Sequence, residues 1–232
     1  MERIIIRLAL LLLLAALIFG FLQMANSAPA PALIKVAVLD TGMDTTDPYM
    51  CPESRDFTGE GLADLDGHGT NITRLIEDNA GPGNYCILML KIFYIDPFQP
   101  HYAEALEYLV AQHAQLVNMS IGGELFMPFE KTALLAVLNQ GAQLFAAAGN
   151  DSLELTRKNC KIYPACLDSR IRVVGSTAAS SNYGNRVNLI LDGVDAVVGD
   201  SRRSGTSPAT AIATGLALKK YMRTHTQSEL RK

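Results

Sequence analysis

Leu33-Ile34-Lys35-Val36-Ala37-Val38-Leu39 is the stretch that most narrows what this chain can become. It is rich in β-formers and apolar at every position but one. A strand with one wet face alternates apolar and polar residues. A run this continuous points to burial on both faces, as in parallel sheets covered on both sides by crossover helices. The run ends at Asp40-Thr41-Gly42. Asp40 then stands at the carboxyl end of its strand, where open α/β sheets build their sites.

The rest of the chain repeats the theme. Tyr85–Phe93 reads as a second apolar strand, Leu116–Met119 as a third, Gln143–Ala148 as a fourth and Arg170–Gly175 as a fifth. Between them lie helical periods. His101–His113 carries Tyr102, Ala105, Leu106, Leu109 and Val110 on one face, and Phe129–Asn139 is a second amphipathic stretch. Asn71–Glu77 is compatible with a helix, and Ala209–Tyr221 is rich in Ala and Leu. Strands alternating with helices predict an α/β fold: a doubly wound, mostly parallel sheet with helices on both faces, in three layers. Residues 43–66 are polar and loop-like, and the basic stretch Lys219–Lys232 reads as a helix end and frayed tail.

Two further motifs carry chemistry. Asp66-Gly67-His68-Gly69-Thr70 sets an imidazole between two glycines, at the start of a helix. Ser204-Gly205-Thr206-Ser207-Pro208-Ala209-Thr210-Ala211 sets a serine at a helix N-terminus, with Pro208 expected at the first helical position. There the helix dipole favours developing negative charge. With Asp40 and with Asn150 at the end of a later strand, the chain holds a nucleophile, a base, a carboxylate to orient the base, and an amide donor. That is the inventory for acyl transfer. Other readings lack parts. A paired-aspartate protease needs two such aspartates in one site, and Asp-Thr-Gly occurs once. A dinucleotide site needs G-x-G-x-x-G after the first strand, which is missing. The net charge of −3 gives no electrostatic reason for a nucleic-acid partner. His101, His113 and His225 sit in no comparable motif.

The sequence resembles the subtilisin-like serine peptidases, the subtilases. Val38-Leu39-Asp40-Thr41-Gly42 is similar to the family's aspartate motif, Asp66–Thr70 to its histidine motif, and Gly205-Thr206-Ser207 to its serine motif. Asn118–Gly123 is similar to its substrate-binding segment and Ala147–Asn150 to its oxyanion segment. The order Asp, His, Ser is that of subtilisin. The resemblance runs from about Ile34 to Ala217. It implies a serine endopeptidase acting on protein or peptide substrates, with Asp40, His68 and Ser207 as the triad and Asn150 in the oxyanion hole. It implies substrate contacts at Ser120, Ile121, Gly122, Gly123, Ala148 and Gly149. Asp151 is either a pocket-rim carboxylate favouring Lys or Arg in the substrate, or a solvated turn residue. No cofactor and no catalytic metal are expected; no stretch is assigned to the family's calcium sites, and calcium dependence stays open. A domain that binds peptides or a partner without cleaving them is the alternative.

The match departs from the family downstream of the serine. Pro208 stands where Met is usual, Ala211 where Pro is usual, and Thr214 replaces a small apolar residue, all read as packing variation. After the histidine motif, Arg74 is expected in solvent or against a carboxylate.

Arg3 and Arg7, the uncharged apolar run Leu8–Leu22 and the small residues Ala25-Asn26-Ser27 read as a signal peptide over residues 1–27. A linker over 28–35, a catalytic domain over 36–218 and a tail over 219–232 would follow. The expectation is a secreted or periplasmic monomer, or a membrane-anchored one if residues 4–22 are retained. Only Ala28–Lys35 lies between signal and strand, so the domain is expected to fold without a propeptide. The four cysteines, Cys51, Cys86, Cys160 and Cys166, allow three pairings in an oxidising compartment. The short loop favours Cys160–Cys166 and leaves Cys51–Cys86.

Overall fold

The computed structural model describes residues 33–93, 99–194, 196–198 and 201–229. The expected signal segment and most of the linker lie outside them.

Seven strands form one sheet in the order β2-β3-β1-β4-β5-β6-β7, and every neighbouring pair is parallel. They are β1 (Ile34–Asp40), β2 (Arg55–Asp56), β3 (Tyr85–Lys91), β4 (Leu116–Met119), β5 (Gln143–Ala147), β6 (Arg172–Ser176) and β7 (Leu189–Leu191). A small antiparallel hairpin, β8 (Ala196–Val198) with β9 (Ser201–Arg203), stands apart. The helices are α1 (His68–Ala80), α2 (Gln99–Gln112), α3 (Pro128–Asn139) and α4 (Thr206–Glu229).

The continuous apolar run of β1 has its reason here. Ala37 and Leu39 pack into a core on one face of the sheet, with Leu106 and Leu109 of α2 and Leu134 and Val137 of α3. Val36 and Val38 pack into a second core on the other face, with Ile72 and Ile76 of α1 and Ala209 and Ala213 of α4. β3 divides in the same way, so both strands are dry on both sides. α1 and α4 meet closely. A Cβ at Gly215 would lie 2.4 Å from the Ile76 carbonyl oxygen.

The last helix runs to Glu229, so its end covers most of the stretch expected to hold a helix end and tail. No Gly or Pro falls between Lys219 and Glu229, Leu218 is buried, and Tyr221 and Met222 still pack on the α1 side of the core. Pro208 is the third residue of α4, not the first. Its missing N–H still falls among the four that a helix start leaves without intrahelical partners.

Disulfides join Cys51 to Cys86 and Cys160 to Cys166, with Cα separations of 5.1 and 5.5 Å. The first ties the loop before β2 to β3. Among the described residues no helix is long and apolar enough to cross a membrane.

Candidate active site

From the centre of the sheet, β1 is followed outward by β3 and β4 by β5, in opposite directions. The crevice over the carboxyl ends of such a pair is where open α/β sheets place ligands. Asp40 closes β1, Ser120 directly follows β4, and Gly149 and Asn150 follow β5. The N-termini of α1 and α4 deliver His68 and Ser207.

Asp40 is fully buried. Its Oδ1 lies 2.7 Å from His68 Nδ1 and accepts the Thr41 N–H at 2.8 Å. Its Oδ2 is buried without a hydrogen bond among the described residues. The approach of α1 requires glycine at position 69, because a Cβ there would stand 2.1 Å from the Gly42 carbonyl oxygen. Burial pulls the His68 pKa down, but the hydrogen bond and charge of Asp40 outweigh it. Arg203 pulls it down again, Asp66 pushes it up, and the ring ends above its ordinary value. With Nδ1–H donating to Asp40, Nε2 is the atom left to accept a proton.

Asp64, not singled out from the sequence, holds this end of α1. Its carboxylate accepts the Thr41 hydroxyl at 2.9 Å and the N–H groups of Gly67 and Thr70 at 2.8 and 2.7 Å. Gly67, at the helix N-cap, has no side chain to cap with, so Asp64 supplies the acceptor from outside. Burial alone would raise its pKa, but these donors hold it below the usual carboxylate range. Lys91, only 1% exposed, donates to the Gly61 and Ala63 carbonyls at 3.0 and 2.9 Å and fixes the loop that carries Asp64. Arg74 pairs with Asp44 at 3.2 Å.

The serine end is built from neutral groups. Ser207 Oγ donates to the Ser120 carbonyl at 3.0 Å, and Ser120 Oγ donates to the Ser207 carbonyl at 3.0 Å. Asn118 Nδ2 donates to Ser120 Oγ at 3.0 Å. Thr214 Oγ1, 3.0 Å from Asn118 Oδ1, extends the chain into α4. Thr214 therefore belongs to a buried polar network and is not simple packing variation. Asn150 Oδ1 accepts the Thr206 N–H at 2.9 Å, which leaves the Nδ2 of this exposed residue as the group free to donate. Gly205, at φ 131°, allows this contact, since a Cβ would lie 2.9 Å from Asn150 Oδ1.

Two cavities meet at Ser120. One of about 600 Å³ runs along Thr41, His68, Ile121 and Phe93. The other, about 310 Å³, lies between Ser120–Gly123 and Gly149–Asn150 and reaches Ser207. Asp151 lines this second cavity, as does Glu124, which sequence reasoning missed. Ala148 does not line it. It is fully buried, with its carbonyl accepting Asn182 Nδ2 at 2.8 Å, and Ala147 and Gly149 form the wall in its place.

Residues 32–229 match the model of the subtilase family, Peptidase S8. The chain belongs to the subtilase family. It is 28% identical over 185 residues to the major intracellular serine protease of Bacillus subtilis (strain 168), covering 69% of this chain and 58% of that protein. It is 28% identical over 203 residues to the thermophilic serine proteinase of Bacillus sp. (strain AK1), covering 79% of this chain and 51% of that one. The chain thus spans little more than half the length of these relatives. A crystal structure of a lanthipeptide protease shares the fold at a TM-score of 0.68 and 20% identity, covering 83% of this chain and 75% of that one. Other relatives are named as intracellular and as extracellular serine proteases. Calcium is common among subtilases. Among the described residues of this one, no group of three or more His, Cys, Asp or Glu side chains could hold a metal ion.

Proposed function

We propose that this subtilase domain is a serine endopeptidase, with residues 36–218 as its catalytic domain and residues 1–27 as an export signal. The observation that carries the reading is the buried Asp40 carboxylate 2.7 Å from His68 Nδ1, in the crevice that α4 closes with Ser207. An extended peptide lies along Ser120–Gly122, pairing with that edge as an added strand. Ser207 turns about χ1 from the Ser120 carbonyl toward His68 Nε2 and attacks the scissile carbonyl. His68 takes the proton and returns it to the leaving amine, while Asp40 holds the tautomer and stabilises the imidazolium. Asn150 Nδ2 and the Ser207 N–H receive the oxyanion. The acyl-enzyme is then hydrolysed by the reverse sequence.

One observation favours the alternative, a domain that binds peptides without cleaving them: the Ser207 hydroxyl is bonded to Ser120, not to His68. A fluorophosphonate probe separates the two. The full chain is expected to be labelled, and Ser207→Ala is not. A folded wild-type protein that takes no label establishes the binding reading instead.

A further inference from the structure

We propose that the 310 Å³ cavity beside Ser207 is a cation-selective primary pocket that takes a lysine or arginine side chain of the substrate. The proposal rests on the endopeptidase reading for the direction of the peptide, but not for the chemistry of the pocket.

Among the described residues, Glu124 on one wall and Asp151 on the other are the only ionisable groups lining this cavity. Neither carboxylate is ion-paired or hydrogen-bonded among the described residues. Both walls are pinned by their backbones. Buried Asn182 accepts the N–H groups of Asp151 and Leu153 at 3.0 and 2.8 Å, which fixes the turn that presents Asp151. Gly123 exchanges hydrogen bonds with Tyr163 at 3.0 and 2.7 Å, which fixes the segment leading into Glu124. That pairing also sets Ile162 as an apolar surface within the cavity, inside the loop closed by Cys160–Cys166.

The shape suits one kind of side chain. A long aliphatic stem covers Ile162 and Ala147, and a cationic head at its end reaches two carboxylates from opposite walls. A Leu or Phe side chain fills the apolar part but leaves both carboxylates as they were. A Glu side chain meets like charge on both sides. Glu124 and Asp151 are both exposed in the free domain, so each pairing gains over an open-surface pair only as the bound peptide covers the cavity.

The test uses the full chain and peptides that differ only at the residue before the scissile bond: Lys, Arg, Leu or Glu. Fluorescence anisotropy with Ser207→Ala reads binding without cleavage, and kcat/KM with the wild type reads the reaction. Lys and Arg peptides are expected to bind about tenfold more tightly than Leu, with Glu the weakest. In Glu124→Gln with Asp151→Asn, added to Ser207→Ala, the Lys-to-Leu ratio is expected to fall to about 2 or less. Equal binding of Lys and Leu peptides overturns the proposal, as does a ratio that survives the double neutralisation. A wild type that binds Lys peptides selectively but cleaves none leaves the pocket assignment supported and overturns only the catalytic reading.

Discussion

The two ends of the site are held by different forces. At the histidine end, Asp40 meets the ring that it orients, and Asp64 gathers the hydroxyl of Thr41 and the free N–H groups of α1. These are charge-assisted bonds, about twice as strong as neutral ones. At the serine end, Ser207, Ser120, Asn118 and Thr214 form a chain of neutral hydrogen bonds, and the Ser207 hydroxyl donates to the Ser120 carbonyl. On the proposed mechanism, His68 is already oriented by Asp40, and Ser207 must leave the Ser120 carbonyl before it can act. That neutral bond is worth about 1 kcal/mol, so giving it up costs less than breaking a charged anchor would.

Removing the charged anchor should give the largest effect. Asp64→Ala leaves the Gly67 and Thr70 N–H groups without their acceptor and is expected to destabilise the domain by about 2 kcal/mol. A small displacement of His68 is expected to lower kcat/KM on the order of 10²-fold. The folded Asp64 carboxyl titrates below its unfolded value, so its contribution is present above about pH 4 and is lost as pH falls through the folded pKa. Chemical denaturation of wild type between pH 5 and 2 should show that loss, and Asp64→Ala a shallower one. Identical profiles would break the contrast between charged and neutral ends.

Asp40, His68 and Ser207 stand out as candidates in the sequence because each sits in a short motif whose glycines have a local reason, such as the contact between Gly69 and Gly42. The parallel sheet was legible because β1 and β3 are apolar on both faces. Asp64 was not, since an aspartate in a polar loop becomes a cap only once α1 is known to start at His68. Glu124 was not, since its place depends on Gly123 pairing with Tyr163, 40 residues away in sequence. Thr214 looked like core filler because its partner, Asn118, is 96 residues distant on β4. β2, with two residues, and the hairpin β8–β9 are too short to show a period.

Thr214→Val tests the neutral end at a smaller scale. Valine keeps the shape and removes the hydroxyl shared between Thr210 O and Asn118 Oδ1 at 2.9 and 3.0 Å. The expected cost is about 1 kcal/mol in thermal denaturation. A loss of kcat of about threefold is expected with it, as Asn118 and then Ser120 loosen. A Val variant with wild-type kcat and lowered stability would confine Thr214 to folding.

The smallest expected effect separates the ends electrostatically. Arg203, 43% exposed at its side chain, sits 3.7 Å from Asp66 Oδ1, and it lowers the His68 pKa while Asp66 raises it. On the proposed mechanism His68 works only when neutral, so kcat/KM should rise with pH through the His68 pKa. Arg203→Ala removes a depressing charge, so the acidic limb should move to higher pH. Asp66→Asn should move it the other way. These charges are solvent-exposed, so about 1 M salt should shrink both displacements. The Asp40 contribution is buried, and the limb common to all three proteins should keep most of its elevation in salt. A limb that collapses to the ordinary histidine value in salt would mean that the histidine end is held by surface charge, and the contrast with the serine end would fail.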